Sequence, residues 1–309
     1  MIKVKNLTKK FDDLEVLKEL NFEIGDNEIV GLLGPNGAGK TTTMRILMGF
    51  LPIEKGEIEI FNKNINNQKH ALEIKKQTGY LPENNPLYSE MLVYEYLQMI
   101  CELKKISNKK QEIKNVVEKT GITSVYYRPI SELSKGFKQR VGLAASILGD
   151  PKILILDEPT EGLDPNQRIE IKNLIKNLGK DKTVIISSHV LSEVENTCDR
   201  IIIIHEGKIV KDQKISEILK SSGSDILIVE LEGTQVKEKI TELIGNEKVN
   251  LINQVNLVTK LEIKVNNIKN IIPQISKLIC ENNWIVWEIK IQESKLEDVF
   301  REVTSSSLS

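Results

Sequence analysis

The stretch Gly34-Pro35-Asn36-Gly37-Ala38-Gly39-Lys40-Thr41 carries the spacing GxxxxGK[ST]. Glycines let such a turn aim successive backbone N–H groups at an anion, the lysine reaches phosphate oxygens, and the threonine hydroxyl is a ligand for Mg²⁺. Thr42 stands in the same first helical turn, where N–H groups without carbonyl partners favour negative charge. The chemistry these residues support is a grip on the phosphates of a nucleotide. Two carboxylates, Asp157 and Glu158, end the apolar run Ile153 to Leu156. Neighbours on a strand face opposite sides, so the two acids can take different roles. Asp157 suits Mg²⁺. Glu158 suits the polarisation of an attacking water, for which a base must lie within hydrogen-bond reach of the proton it takes. His189 follows a further apolar run, Thr183 to Ser187, and reads as a contact for the terminal phosphate.

For these groups to meet, the runs that carry them must lie side by side. Each group falls at the carboxyl end of its run, the edge at which open α/β sheets bind ligands. Ile29 to Leu33 reads as a buried strand before the glycine loop, and Thr41 to Phe50 as the helix after it, stopped near Gly49 and Pro52. Ile201 to His205 and Lys208 to Val210 read as a hairpin turning at Glu206-Gly207. Short apolar runs alternating with amphipathic stretches predict an α/β domain with a mostly parallel sheet over residues 1–220. Within it, residues 84–150 turn helical, with Tyr88 to Leu103 and Gln111 to Thr120 as the clearest helices.

A break at Ser221-Ser222-Gly223-Ser224 predicts a linker over 221–225. Beyond it the pattern reads strand (Ile226 to Leu231), helix (Gln235 to Leu243), strands (Val249 to Val255, Lys260 to Val265), helix (Ile268 to Glu281) and strand (Ile285 to Ile291). That βαββαβ order is a small α+β, ferredoxin-like unit over residues 226–303. A last helix over Leu296 to Val303 and a disordered tail over 304–309 complete the reading. Trp284 and Trp287 read as core and rim of this unit, and no catalytic constellation stands out in it.

The 309 residues have a formal net charge of -1, so no bulk field points to nucleic acid or anionic lipid. Lys104, Lys105, Lys109 and Lys110 are flanked by acids and read as solvated helix faces. Cys101, Cys198 and Cys280 are too few and too scattered for a disulfide framework or a zinc site, which fits a reducing, cytoplasmic compartment. No run approaches the roughly 18 apolar residues of a membrane span.

One stretch remains, Leu133-Ser134-Lys135-Gly136-Phe137-Lys138-Gln139-Arg140. Ser134 can begin a helix, yet Gly136 in its first turn weakens that helix by roughly 1 kcal/mol relative to alanine. A free first turn is a second, lesser anion site. With the glycine loop, the Asp157-Glu158 strand and His189 in this order, residues 1–220 resemble the ATP-binding subunit of an ABC transporter. In that family the LSGGQ signature occupies the place of LSKGFKQR and closes over the γ-phosphate held by a second, opposed subunit. The resemblance assigns this contact to Ser134 and the backbone N–H of Gly136. It matches Phe11 to the aromatic that stacks on adenine, Gly162-Leu163-Asp164 to the loop linking the two sites, and Glu83 to a glutamine that touches Mg²⁺. Lys135 and Phe137 depart from the signature, and activity is expected to survive both changes.

The resemblance implies ATP and Mg²⁺ as cofactors, a second copy or a paralogous subunit as partner, and a separate integral membrane permease holding the chain on the inner face of the cell membrane. The wording YLPENNPLY, LSKGFKQR, EGLDP and LEDVF resembles the ABC-2 exporter branch. A regulatory nucleotide switch, or an ABC ATPase outside transport, is the competing reading; intact Glu158 and His189 argue against the switch.

Overall fold

The computed structural model describes residues 1–221, 225–245, 248–265 and 268–292. The chain divides into two compact units, the first running from Met1 to Ile215.

Five strands of the first unit are β3 (Ile29–Leu33), β6 (Thr78–Leu81), β7 (Ile153–Asp157), β8 (Thr183–Ser188) and β9 (Arg200–His205). Every residue of β3, β7 and β8 is buried, as befits strands covered on both faces. They pair in parallel, and β10 (Lys208–Lys214) adds an antiparallel edge, giving the order β10-β9-β3-β8-β7-β6. Parallel pairing brings all five carboxyl ends to one edge. The registers set Leu33 beside Ser188 and Asp157 beside Ser187, so the three functional segments leave the sheet together.

A second sheet, whose pairing the sequence pattern does not resolve although Met1 to Phe11 reads as a strand and turn, precedes and flanks the glycine loop. Its strands are β1 (Ile2–Phe11), β2 (Leu14–Ile24), β4 (Lys55–Ile60) and β5 (Lys63–Asn64), antiparallel in the order β2-β1-β4-β5. Ile2, Leu7, Leu20 and Ile58 of this sheet share one core with Met44 of α1 (Lys40–Leu47) and Ile155 of β7. This packing fixes Phe11, at the end of β1, relative to the glycine loop.

α1 ends at Leu47, three residues short of the predicted Phe50, because Gly49 turns the chain at φ +63°. After α2 (Gln68–Lys76) and β6 comes the helical block: α3 (Val93–Leu103), α4 (Lys109–Thr120) and α5 (Lys135–Ile147), with α5 packed on both others. α3 begins at Val93 rather than Tyr88, because the Glu95 carboxylate accepts from the Leu92 N–H at 2.9 Å and starts the helix there. α6 (Pro165–Gly179) and α7 (Leu191–Glu195) follow β7 and β8. Cys101 and Cys198 are buried thiols, and Cys280 is exposed; all three are free.

The second unit begins at Ser216. Its start lies within α8 (Ile215–Ser221), where the sequence pattern predicts the end of the first domain and a linker. Ile215 and Ile218 are buried, and their spacing of three is helical. The rest of the expected linker, residues 222–224, lies outside the described residues. β11 (Asp225–Glu232), α9 (Val236–Ile244), β12 (Val249–Val255), β13 (Val258–Val265), α10 (Ile268–Asn282) and β14 (Ile285–Gln292) keep the predicted order. They form an antiparallel sheet, β12-β13-β11-β14, the ferredoxin-like arrangement. Leu227, Val229 and Leu261 meet Ile240 of α9 and Ile275 of α10 in its core. Trp284 is buried there and donates to Thr234 O at 3.2 Å, while Trp287 is exposed and donates to Glu232 Oε2 at 3.0 Å. The expected helix at Leu296 to Val303 and the tail at 304–309 lie outside the described residues.

Candidate functional site

The glycine loop turns between β3 and α1. A Cβ on Gly34 would collide with the backbone oxygen of Ile204, so only glycine lets the loop leave β3 so close to β9. Gly37 has φ +82° and open space around it, which leaves its backbone exposed to a ligand. Gly39, at φ +110°, precedes the first turn of α1, and no side chain caps that turn. Its free N–H groups therefore face the cleft as an anion site.

Lys40 Nζ donates to Gly34 O at 2.8 Å and to Pro35 O at 3.2 Å, folding the side chain back along the loop. Glu158 Oε1 stands 3.9 Å from the same nitrogen. Thr41 Oγ1 donates to Asp157 Oδ1 at 3.2 Å, and Ser187 Oγ donates to that oxygen at 2.5 Å. Asp157 Oδ2 is buried and has no hydrogen-bond partner. A carboxylate oxygen held this way beside a threonine hydroxyl is suited to a hard divalent cation or its bound water. Among the described residues no three His, Cys, Asp or Glu side chains cluster to hold a metal by themselves. The donor set fits Mg²⁺, which takes one or two protein oxygens and completes its shell with phosphates and water.

Glu158 is not a strand residue, contrary to the alternation expected along the run. β7 stops at Asp157, and Glu158 adopts φ +47°, an uncommon conformation for a residue with a side chain. That turn brings both neighbouring acids to the same edge instead of opposite faces. Ser187 Oγ accepts from the Glu158 N–H at 2.8 Å and so holds the turn, and His189 Nδ1 lies 3.0 Å from Glu158 Oε1. Strain of this kind collects where a side chain must be aimed. Burial raises the Glu158 carboxyl above the usual carboxylate range, against the opposing pull of His189 and Lys40. Burial likewise lowers the Lys40 ammonium, against the attraction of Glu158, Asp157, Glu83 and Glu161.

A cleft of about 500 Å³ joins these groups. Asn36, Gly37, Ala38, Gly39, Lys40, Thr41 and Thr42 line it with Glu83, Glu158 and His189; Phe11 with Leu14 and Val16 of β2 form its apolar end. Asp157 lies beneath it, 1% exposed. Ser134 and Gly136 do not line it: Ser134 caps α5 by accepting from the Phe137 N–H at 3.3 Å. Four participants are not marked by the sequence pattern. Ser187 closes an apolar run, and Leu14, Val16 and Glu161 reach the cleft only through folding. A hydroxyl ending the β8 run is the one available signal.

Comparison with known proteins agrees with this geometry. The family described as "ABC transporter" matches residues 17–161. An uncharacterised ABC transporter ATP-binding protein, YhcH of Bacillus subtilis (strain 168), is 35% identical over 99% of this chain and 97% of its own length. The bacitracin transport ATP-binding protein BcrA of Bacillus licheniformis is 34% identical over 97% of this chain and 96% of its own. Among solved structures, cbiO1 from Clostridium perfringens, part of the ABC transporter complex cbiONQ, superimposes with a TM-score of 0.66 at 29% identity, covering 78% of this chain and 94% of that one. The dimeric post-hydrolysis state of the ATP-binding cassette MJ0796, bound to ADP and Pi, gives 0.64 at 25% identity over 70% of this chain and 99% of that one. A glycine loop on a helix start, a strained glutamate and a histidine at one sheet edge, and relatives matched along nearly their whole length, agree: the chain belongs to the ABC transporters, as an ATP-binding subunit that hydrolyses ATP.

Proposed function

We propose that the backbone of residues 34–42 and Lys40 hold the β- and γ-phosphates of ATP, that Thr41, Asp157 and Glu83 attend Mg²⁺, and that Glu158 is the catalytic base with His189 on the γ-phosphate. The convergence of Lys40, Thr41, Asp157, Glu158 and His189 carries this reading. Lys40 exchanges the carbonyls of Gly34 and Pro35 for phosphate oxygens. Phe11, with Leu14 and Val16, stacks on the adenine. Bound Mg²⁺ supplies positive charge to offset that spread over the transferred phosphoryl oxygens. Glu158 accepts a proton from the attacking water, and its raised pKa brings it nearer the pH at which a base works best. His189 holds Glu158 Oε1 in place and meets the terminal phosphate.

Residues 1–220 then act as the ATP-binding domain, with 84–150 as its helical subdomain and 226–303 as an accessory domain. Ser134 and Gly136 serve the ATP of a second copy or a paralogous subunit, so that two nucleotides join two subunits and hydrolysis releases them. The motor drives an integral membrane permease of the ABC-2 type, gripped by the helical block and the Glu83 loop, from the cytoplasmic face. Relatives named for bacitracin transport and for lantibiotic transport favour export of a peptide-like or amphiphilic cargo. No helix among the described residues is long and apolar enough to cross a membrane, which leaves the transport path to that partner.

Light scattering of purified Glu158→Gln protein tests the composite site. Loss of the base traps the ATP-bound state, so saturating Mg-ATP doubles the mass. A mass that stays monomeric assigns the opposed half-site to another subunit and removes the self-dimer from the proposal.

A further inference from the structure

The start of α5 interlocks with the loop before α6 and the first turn of α6 by an exchange of glycines and long side chains. A Cβ on Gly162, at φ +65°, would collide with Lys135 Nζ and lie 2.9 Å from Lys135 Cε, so the lysine side chain lies across that glycine. A Cβ on Gly136 would lie 2.6 Å from Gln167 Cδ and 2.7 Å from Gln167 Oε1. Each element thus gives the other one glycine and receives one side chain. Further along the same two helices, Arg140 of α5 pairs with Glu170 of α6.

Lys135 is an unexpected occupant of its position. It is the first residue of α5, no acid stands in that first turn, and the helix dipole disfavours a cation there. The Lys135 side chain makes no hydrogen bond or ion pair among the described residues. Its contact with Gly162 is therefore a packing contact. The segment it covers runs from Glu161, which lines the nucleotide cleft, to Asp164, whose carboxylate accepts from the Gln167 N–H at 2.9 Å. The turn that carries Ser134 and Gly136 is in this way tied to a loop that begins in the cleft.

We infer that Lys135 and Gln167 are positioning residues that clasp the Ser134–Gly136 turn to the Glu161–Asp164 loop, so that the two move as one body. The inference rests on the proposed reading in which Ser134 and Gly136 meet the phosphates of a second subunit. With the clasp closed, the state of one nucleotide cleft reaches, through Glu161 and Gly162, the turn that serves the other. Without it the two segments relax independently, and own-site ATP binding is left as it was.

Amide hydrogen exchange on the ATP-free full chain tests the clasp without any dimer. The Phe137 and Lys138 amides bond to Ser134, and those of Glu161 and Leu163 bond to Glu158 O and Thr160 O. In Lys135→Ala/Gln167→Ala protein, both segments exchange faster together, by about tenfold, while the melting temperature stays put. In the same variant kcat for ATP falls by about tenfold with KM unchanged, and Lys135→Arg restores it. Unchanged exchange in either segment overturns the clasp, as does a kcat within twofold of the parent. Failure of Glu158→Gln protein to dimerise removes the two-subunit reading, and the exchange rates of the single subunit then decide the clasp by themselves.

Discussion

Lys260 reaches Glu230 and Glu288 at 2.7 Å each across the C-terminal sheet, whereas Lys40 stands 3.9 Å from Glu158 in the cleft. The partly exposed trio reinforces its own charges. Hydrogen bonds to the two carboxylates raise Lys260, and the bond to Lys260 lowers Glu288. In the cleft burial dominates and moves both partners toward neutrality, Lys40 downward and Glu158 upward. The trio joins three paired strands, while Glu158 occupies a strained turn above a buried carboxylate oxygen with no partner. A satisfied ion pair has little left to offer a ligand. The looser cleft pair, costly to bury, leaves its charges open to the phosphates and metal proposed above.

Five substitutions test that contrast. Lys40→Ala should cut ATP turnover by about 10³-fold, because a preorganised charge on the phosphates is lost, and phosphate release reads this directly. Glu158→Gln should cut turnover by about 10²-fold or more, the usual contribution of a positioned base. The same change should raise the melting temperature of the nucleotide-free protein by a few degrees. Because burial raises the folded pKa of Glu158, folding binds its proton, and stability falls as pH rises through that raised value. The gain from Glu158→Gln should therefore grow with pH; a variant that melts earlier at neutral pH would show that the partners of Glu158 outweigh its burial.

A pH–rate profile follows. The acid limb of kcat/KM, which reports the free enzyme, should lie above the ordinary carboxylate range, since the base works only when deprotonated. His189→Ala removes a bond that lowers Glu158, so the limb should move to higher pH, with part of the loss recovered in alkaline buffer. Glu83→Gln should keep at least about a tenth of wild-type turnover, since an amide oxygen still serves Mg²⁺; complete loss would make the carboxylate essential. Smallest of all, Lys260→Ala should leave turnover unchanged and lower the melting temperature by no more than about 3 °C, as exposed ion pairs do.

The glycine loop, the Asp157-Glu158 pair and the βαββαβ order are legible because each rests on local rules: fixed spacing, apolar runs, and turn residues. The antiparallel sheet of β1, β2, β4 and β5 is not. Stretches such as Ile2 to Lys5 and Leu20 to Ile24 alternate apolar and polar residues, but register shifts interrupt the pairing, and β1 and β4 lie far apart in the chain, so the sheet itself does not follow from them. Glu158 reaches the expected edge by a different geometry, since alternation puts it opposite Asp157 and a positive φ turns it back.

By itself the sequence determined which residues can do chemistry, and that they end apolar strands, because spacing and hydrophobicity are properties of the chain alone. Tertiary structure decided the rest. Parallel registers set Ser187 beside Asp157, and burial moved the protonation of Lys40 and Glu158 toward neutrality. Long-range packing laid Lys135 across Gly162. Those outcomes depend on distances between residues far apart in the chain, and only the packed core fixes such distances.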